Sequence, residues 1–144
     1  PLGLLNTSGI GTQSGTSLAH AGILAMRKAV LNAGARELGL QWVGTPTVQE
    51  VLGARERATG GGRFLWDSDG IIGRPAYATK NAPASALVVG DFSQSAVGIF
   101  GPGMRIDIDP SQDFTSGGLV ARVLLMCDVA FPQPSAFSVA TSVT

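Results

Sequence analysis

Apolar residues first recur at helical spacing between positions 18 and 33. At 100° per residue, Leu18, Gly22, Ala25, Met26, Ala29, Val30 and Ala33 share one broad face, with His20 and Arg27 opposite. Leu24 and Leu31, seven apart, add a second apolar spot, so this helix is expected to be covered on both sides. Ser17 stands where an N-cap belongs, and Gly34 where a helix stops. Ahead of it, residues 1–16 read as an extended lead-in with Leu2, Leu4 and Leu5. A loop follows in which Gly9, Gly11 and Gly15 alternate with Thr and Ser. Residues 40–43 read as a short strand. Thr45-Pro46 then announces a second helix: an N-cap, then proline at the first helical position, where its missing N–H costs nothing. Val48, Val51 and Leu52 give that helix its stripe, and its end is expected near Arg57.

Gly60-Gly61-Gly62 breaks the pattern. Phe64, Leu65 and Trp66 follow, and then a turn, Asp67-Ser68-Asp69-Gly70. Beyond residue 71 the period switches to two. Strands are expected at 72–77, 87–89, 96–100 and 104–108. In the last of these Met104, Ile106 and Ile108 face one way, and Arg105, Asp107 and Asp109 the other. Residues 110–118 form a polar loop. Residues 119–131 are the longest strand candidate, interrupted by Pro132 and Pro134, and 137–140 add a last strand. There is no internal repeat.

A length of 144 residues fits one domain. Charged residues are 14%, against about 25% in an average globular protein, and ten Lys and Arg balance ten Asp and Glu. Zero net charge argues against nucleic-acid binding by bulk electrostatics, which needs clustered cations. A hydrophobic content of 44% argues against disorder. The single cysteine, Cys127, rules out an internal disulfide framework and a cysteine-based zinc site. No apolar run is long enough for a membrane helix, and no basic-then-apolar signal segment opens the chain. The first residue is Pro1 rather than Met, so the chain is expected to be a piece of a longer polypeptide. So few charges favour surfaces that are buried against copies of the same chain.

Candidate chemistry is thin. His20 is the only imidazole, and a lone His at the start of a helix is ordinarily a surface or interface residue. No G-x-S-x-G elbow is present, and Ser8, Ser14 and Ser116, close to glycines, read as turn residues. The Gly9-to-Ser14 stretch lacks the third glycine of a dinucleotide fingerprint and the Gly-Lys-Ser/Thr of a nucleotide loop. Asp67 with Asp69, and Asp107 with Asp109 and Asp113, are acid groups of the kind that bind calcium or do acid–base work. Yet the first set lacks the closing Glu of a calcium loop, and the second lies on a polar strand face. Asn6-Thr7-Ser8 fits a glycosylation sequon but has no secretory segment to give it meaning. Arg105 and Arg122 are expected to pair across strands with Asp107, Asp109 or Asp128. No catalytic, cofactor-binding or metal set assembles.

The second half contains a run of elements in a telling order. Ile71-Ile72-Gly73-Arg74-Pro75-Ala76-Tyr77 leads to Asn81-Ala82-Pro83, then to Leu87-Val88-Val89-Gly90-Asp91-Phe92-Ser93-Gln94. Val97-Gly98-Ile99-Phe100, Ile106-Asp107-Ile108-Asp109-Pro110, Asp128-Val129-Ala130 and Ala136-Phe137-Ser138-Val139-Ala140 complete it. This order resembles the C-terminal half of the major capsid protein of tailed bacteriophages, the Hong Kong phage capsid fold. The opening Pro1-Leu2-Gly3-Leu4-Leu5-Asn6 also fits, as the lead into the axial domain. The element Gly90, Asp91, Phe92, Ser93, Gln94 is the most specific part.

The resemblance implies an α+β fold: an axial domain with a central mixed sheet flanked by two helices, plus a long β-hairpin from the peripheral domain. By position the axial domain takes residues 1–97 and the hairpin 98–134, and the strand in 135–144 returns to the axial domain. The axial tip loop would be 57–70, with Gly60, Gly61, Gly62, Phe64 and Trp66 as assembly residues. The three-fold loop would be 111–118, with Ser111, Asp113, Phe114 and Gly117. Leu24 and Leu31 are further candidate anchors. The family's N-terminal arm, extended loop and spine helix would precede Pro1.

The implied function is a structural shell protein of a tailed phage or prophage. It would assemble with copies of itself into pentamers and hexamers around DNA, in the virion and, before assembly, in the host cytoplasm. No catalysis, cofactor, membrane, small-molecule substrate or specific nucleic-acid contact is implied. An encapsulin-like compartment shell shares the fold. A small hydrolase or ligand-binding domain using Asp67, Asp69 or His20 is the alternative of another class. One departure stands out: the family commonly has Arg-His-Pro-Glu where this chain reads Pro132-Gln133-Pro134-Ser135. Asparagines occur only at Asn6, Asn32 and Asn81, so the Lys–Asn cross-link of some relatives is not expected.

Overall fold

The computed structural model describes residues 3–109, 111 and 115–144. Strand β1 (Gly11–Ser14) leads into helix α1 (His20–Asn32), strand β2 (Leu40–Gly44) and helix α2 (Pro46–Gly53). Next come the short β3 (Trp66–Asp67), β4 (Gly70–Ile71) and β5 (Ala76–Ala78), and then β6 (Leu87–Asp91). The long β7 (Ala96–Asp109) and β8 (Val120–Ala130) precede β9 (Phe137–Thr141). The fold is α+β, as the resemblance implies.

Five strands form one mixed sheet in the order β1-β9-β6-β2-β5. The outer pairs β1/β9 and β2/β5 are parallel, and the inner pairs β9/β6 and β6/β2 antiparallel. Every residue of β6 is buried, as befits a central strand covered on both faces. The side bearing Leu40, Trp42, Leu87 and Val89 packs with Ile23, Met26 and Val30 of α1 and Val48 and Leu52 of α2 in one core. On the other side Val88 and Val139 form a smaller cluster with Ala86, against which Leu4, Ile10 and Phe92 pack.

Local chemistry explains most of the boundaries. The Thr45 hydroxyl accepts the Val48 N–H at 3.3 Å, and Pro46 opens α2 as expected. α2 stops at Gly53 rather than near Arg57 because a backbone ladder takes over: the Leu65 N–H donates to the Arg55 carbonyl and the Arg57 N–H to the Arg63 carbonyl, both at 2.8 Å. Gly34 does end α1, with φ +89°. Ser17 is not its N-cap. A tight turn, with the Leu18 N–H on the Gly15 carbonyl, puts Ser17 at φ +52°, and α1 starts at His20 with no side-chain cap. Leu18 therefore packs from outside the helix, and the buried stripe is Ile23, Met26 and Val30, leaving Ala25 and Ala29 exposed.

Three expected elements differ. Gly11–Ser14 is a strand rather than a loop, because β9 offers it a parallel partner 127 positions away in register (Gly11 opposite Ser138). The strand expected at 72–77 shrinks to Ala76–Ala78, because Ile72 (φ +51°) and Gly73 (φ +65°) form a reverse turn closed by reciprocal Ile71–Arg74 backbone bonds. The strands expected at 96–100 and 104–108 are one strand, β7, carrying an irregularity between Phe100 and Met104 where Gly101 and Gly103 take positive φ.

Candidate functional site

β7 and β8 pair only with each other among the described strands, in an antiparallel ribbon that begins at Ala96 opposite Ala130. The register fixes what each face carries. Val97, Ile99, Met104, Ile106 and Ile108 lie opposite Val129, Cys127, Leu125, Val123 and Ala121. Side chains directly opposite share a face, so this face is apolar from end to end. It is also open: Ile99 is 62% exposed, Ile106 56%, Val123 58% and Leu125 54%. Soluble monomers rarely leave a contiguous apolar patch of more than a few hundred Å² in water, and a two-stranded ribbon alone is marginally stable. The opposite face is mixed: Phe100, Leu124 and Met126 are exposed there as well, and Asp107 opposite Arg122 is its polar pair. Asp107 accepts from Arg122 at 2.9 Å across the strands and from Arg105 at 2.7 Å along its own. The Arg122 hydrogen bond first, and then that of Arg105, hold the Asp107 carboxyl below its ordinary value.

At the far end of this ribbon the Asp109 carboxylate accepts both the N–H and the hydroxyl of Ser111. Gly117 takes φ +69°. Asp113 and Phe114, the other two residues expected in the three-fold loop, lie outside the described residues.

The expected tip loop is laced from below. Besides the ladder that ends α2, Arg57 Nε donates to the Phe64 carbonyl at 2.7 Å and the Gly60 N–H to the Glu56 carboxylate at 2.7 Å. Gly60, with Gly61 and Gly62, crowns this turn. Gly60 and Gly62 take positive φ with open space where a Cβ would point. Phe64 is 38% exposed. Trp66 is not: it is buried in the main core beside Leu65, which leaves little of it to offer a neighbour. Leu24 is exposed, whereas Leu31 packs partly buried against the core.

The Gly90-to-Gln94 element is a packing and capping device. A Cβ on Gly90 would lie 2.2 Å from Phe137 Cδ1, so glycine makes room for that ring. Phe137 is fully buried, edge-to-face with Phe92 and Phe131 at centroid distances of 5.5 and 5.3 Å. Asp91 caps the 3-10 turn Phe92–Gln94, accepting from the Ser93 N–H at 3.1 Å and the Ser93 hydroxyl at 2.6 Å. Arg36 joins it, 3.5 Å from the carboxylate and 2.9 Å from the Ser93 hydroxyl. Sequence reasoning missed this cluster. Its signal was an Asp followed two positions on by Ser, the pattern of a side-chain-closed turn.

The Ser93 hydroxyl holds the Asp91 carboxyl below its ordinary value of 3.8 against the opposing effect of burial, helped by the Ser93 N–H and Arg36. A lowered folded-state pKa means that the stabilisation is complete above the unfolded value and fades as pH falls through the folded one. Asp91→Asn is therefore expected to flatten the loss of thermal stability as the pH falls below the ordinary carboxylate range of about 4. Parallel melting curves for the two proteins over that fall in pH would contradict it.

The remaining candidates stay apart. Asp67 accepts the neighbouring Ser68 N–H at 2.8 Å in the β3–β4 turn, the turn that also carries Asp69. His20 Nδ1 is buried without a hydrogen-bond partner among the described residues. Among the described residues no three of His, Cys, Asp and Glu stand close enough to hold a metal ion.

The family described as Phage capsid family matches residues 1–142. A major capsid protein of Halomonas phage phiHAP-1 is 28% identical over 146 aligned positions, covering 97% of this chain and 23% of the relative. Among solved structures, the capsid of an empty GTA particle with C5 symmetry matches at TM-score 0.69 and 18% identity, covering 100% of this chain and 55% of that one. A virus-like particle from Pyrococcus furiosus matches at 0.62 and 17%, covering 95% and 58%. A structure from Gordonia phage Cozz matches at 0.61 and 18%, covering 94% and 50%. The chain thus spans about a quarter of the curated relative and about half of the solved chains, and at these identities the solved structures share its fold.

Proposed function

Because this chain belongs to the phage capsid family, we propose that it is the axial and hairpin part of a self-assembling shell subunit. Copies form the pentamers and hexamers of an icosahedral capsid around DNA, in the host cytoplasm first and then as the virion. The role is structural, without catalysis. Residues 1–97, joined by the strand in 135–144, make the axial domain, and 98–134 the hairpin of the peripheral domain. The tip at 57–70, with Gly60, Gly61, Gly62 and Phe64 foremost, meets its copies at the capsomer axis. The loop at 111–118 meets them near three-fold contacts.

The observation that carries this reading is the apolar face of the β7–β8 ribbon, which the described chain leaves uncovered. A face of this kind is stable in water only when protein covers it. In the shell it is covered. Zero net charge suits the same role, since copies pack side by side without mutual repulsion and line DNA without gripping it.

Cys127 reports on this directly, because it is exposed on that face opposite Ile99. In the unassembled gene product that contains this chain its thiol is expected to react freely with a maleimide. In assembled particles the rate is expected to fall at least about ten-fold, the equivalent of ~1.4 kcal/mol of protection. Equal rates in the two states would refute the proposal that the ribbon is covered.

A further inference from the structure

Leu38 is 86% exposed, more than any other large apolar side chain among the described residues. It sits at the centre of a 3-10 turn, Glu37–Gly39, between α1 and β2. This turn is held from both sides. Before Leu38, Arg36 bonds Ser93 and Asp91, and Glu37 pairs with Arg27 of α1 and, at 3.6 Å, with Arg74. After it, Gly39 presses so close to the Asp91 carboxylate that a Cβ would lie 2.9 Å from it, and Leu40 enters the core. Two separate ion-pair systems therefore clamp a turn whose centre is a leucine in water. Leu38 packs against almost nothing among the described residues. Such a clamp does something useful in binding: the ordering cost of the contact is already met in the free protein.

The same chain carries a matching hollow. Leu4, Leu5, Val43, Pro83, Val88 and Phe92 line an apolar pocket of about 340 Å³ on the sheet side away from the helices. A cavity of roughly 150 Å³ holds a benzene, so a leucine side chain fits. We propose that Leu38 of one subunit seats in this pocket on a second copy.

This contact rests on the shell reading above. The area involved supports a copy over a free partner protein. One leucine removes on the order of 100 Å² from water, far below the ~800 Å² per partner of a stable isolated pair. A contact so small holds only where many are made at once, as in a closed symmetric assembly. The chain's zero net charge adds no repulsion between copies.

The test uses the complete gene product that contains this chain, examined by electron microscopy and gradient sedimentation. Leu38→Asp is expected to cut particle yield at least ten-fold while leaving the melting temperature of unassembled protein unchanged. With the gene product's native cysteines, Cys127 among them, replaced by Ser, Leu38→Cys with Ala82→Cys at the pocket rim is expected to give linked dimers or higher oligomers with a short bismaleimide, which neither single cysteine gives. Wild-type yield from Leu38→Asp, or particles of the double-cysteine protein without linked species, would overturn the contact and leave the shell reading standing. Wild-type gene product that forms no particles would overturn the shell reading, and this contact with it.

Discussion

Placing Lys at Ile106 and Glu at Val123 together is expected to abolish shells while leaving the subunit folded. The two positions are directly opposite each other across the ribbon and more than half exposed. In the free chain an opposite-charge cross-strand pair is worth about 0.2–1 kcal/mol, which offsets the lost β-branched residues, so the melting temperature should barely change. In an apolar interface the same pair must leave water, which costs several kcal/mol per ion before any repayment. Particle yield should fall at least roughly a hundred-fold, on the scale of a central interface anchor. The gene product carrying I106K/V123E should sediment as unassembled subunits with wild-type circular dichroism. Particles at wild-type yield would mean that the apolar face lies outside the shell contacts.

Gly90→Val should act on the fold instead. Its side chain would occupy the place of the Phe137 ring, the residue that joins β9 to β6 and packs against Phe92 and Phe131. Overpacking costs about 1–3 kcal/mol where the neighbour can shift, and expelling a buried Phe costs about 3–5. A loss of about 4 kcal/mol is expected, a large share of the stability of a domain this size. Phe137→Leu should restore part of what Gly90→Ala loses, since the two changes meet at one contact. Additive losses, measured by urea unfolding, would show that Gly90 and Phe137 do not compete for the same space.

The ease with which each element was read follows from where its determinants lie. Thr45-Pro46 and Gly34 carry their own instructions in local backbone chemistry, and both act where expected. The alternation of Met104, Ile106 and Ile108 against Arg105, Asp107 and Asp109 was plain because a strand's two faces repeat every second residue. Gly11–Ser14 was not, since a Gly-Thr-Gln-Ser stretch becomes a strand only when β9 returns from the far end of the chain. Ser17 looked like a cap because its type fits, but a left-handed turn claimed it first. Trp66 looked like a surface anchor because it follows a glycine run, whereas the β3–β4 turn points it into the core.

The candidate assembly surfaces divide in the same way. The turn that carries Gly60, Gly61 and Gly62 was legible as a glycine cluster, and the Asp107–Arg122 pair as part of an alternating charge pattern. The continuity of the apolar face was not, because it depends on the register between β7 and β8 across the irregularity at Phe100 and Met104. The Asp91–Ser93–Arg36 cluster joins residues 57 positions apart in sequence, a distance no local pattern spans.

The gene product that contains this chain, as a shell subunit, should close into shells by itself. Electron microscopy of the purified gene product, expressed without other phage proteins, tests it most directly. Closed shells or five- and six-membered rings, with the β7–β8 ribbon buried under protein density, are the predicted result. A particle-free field, with light scattering that gives a monomer at every concentration tried, would contradict it.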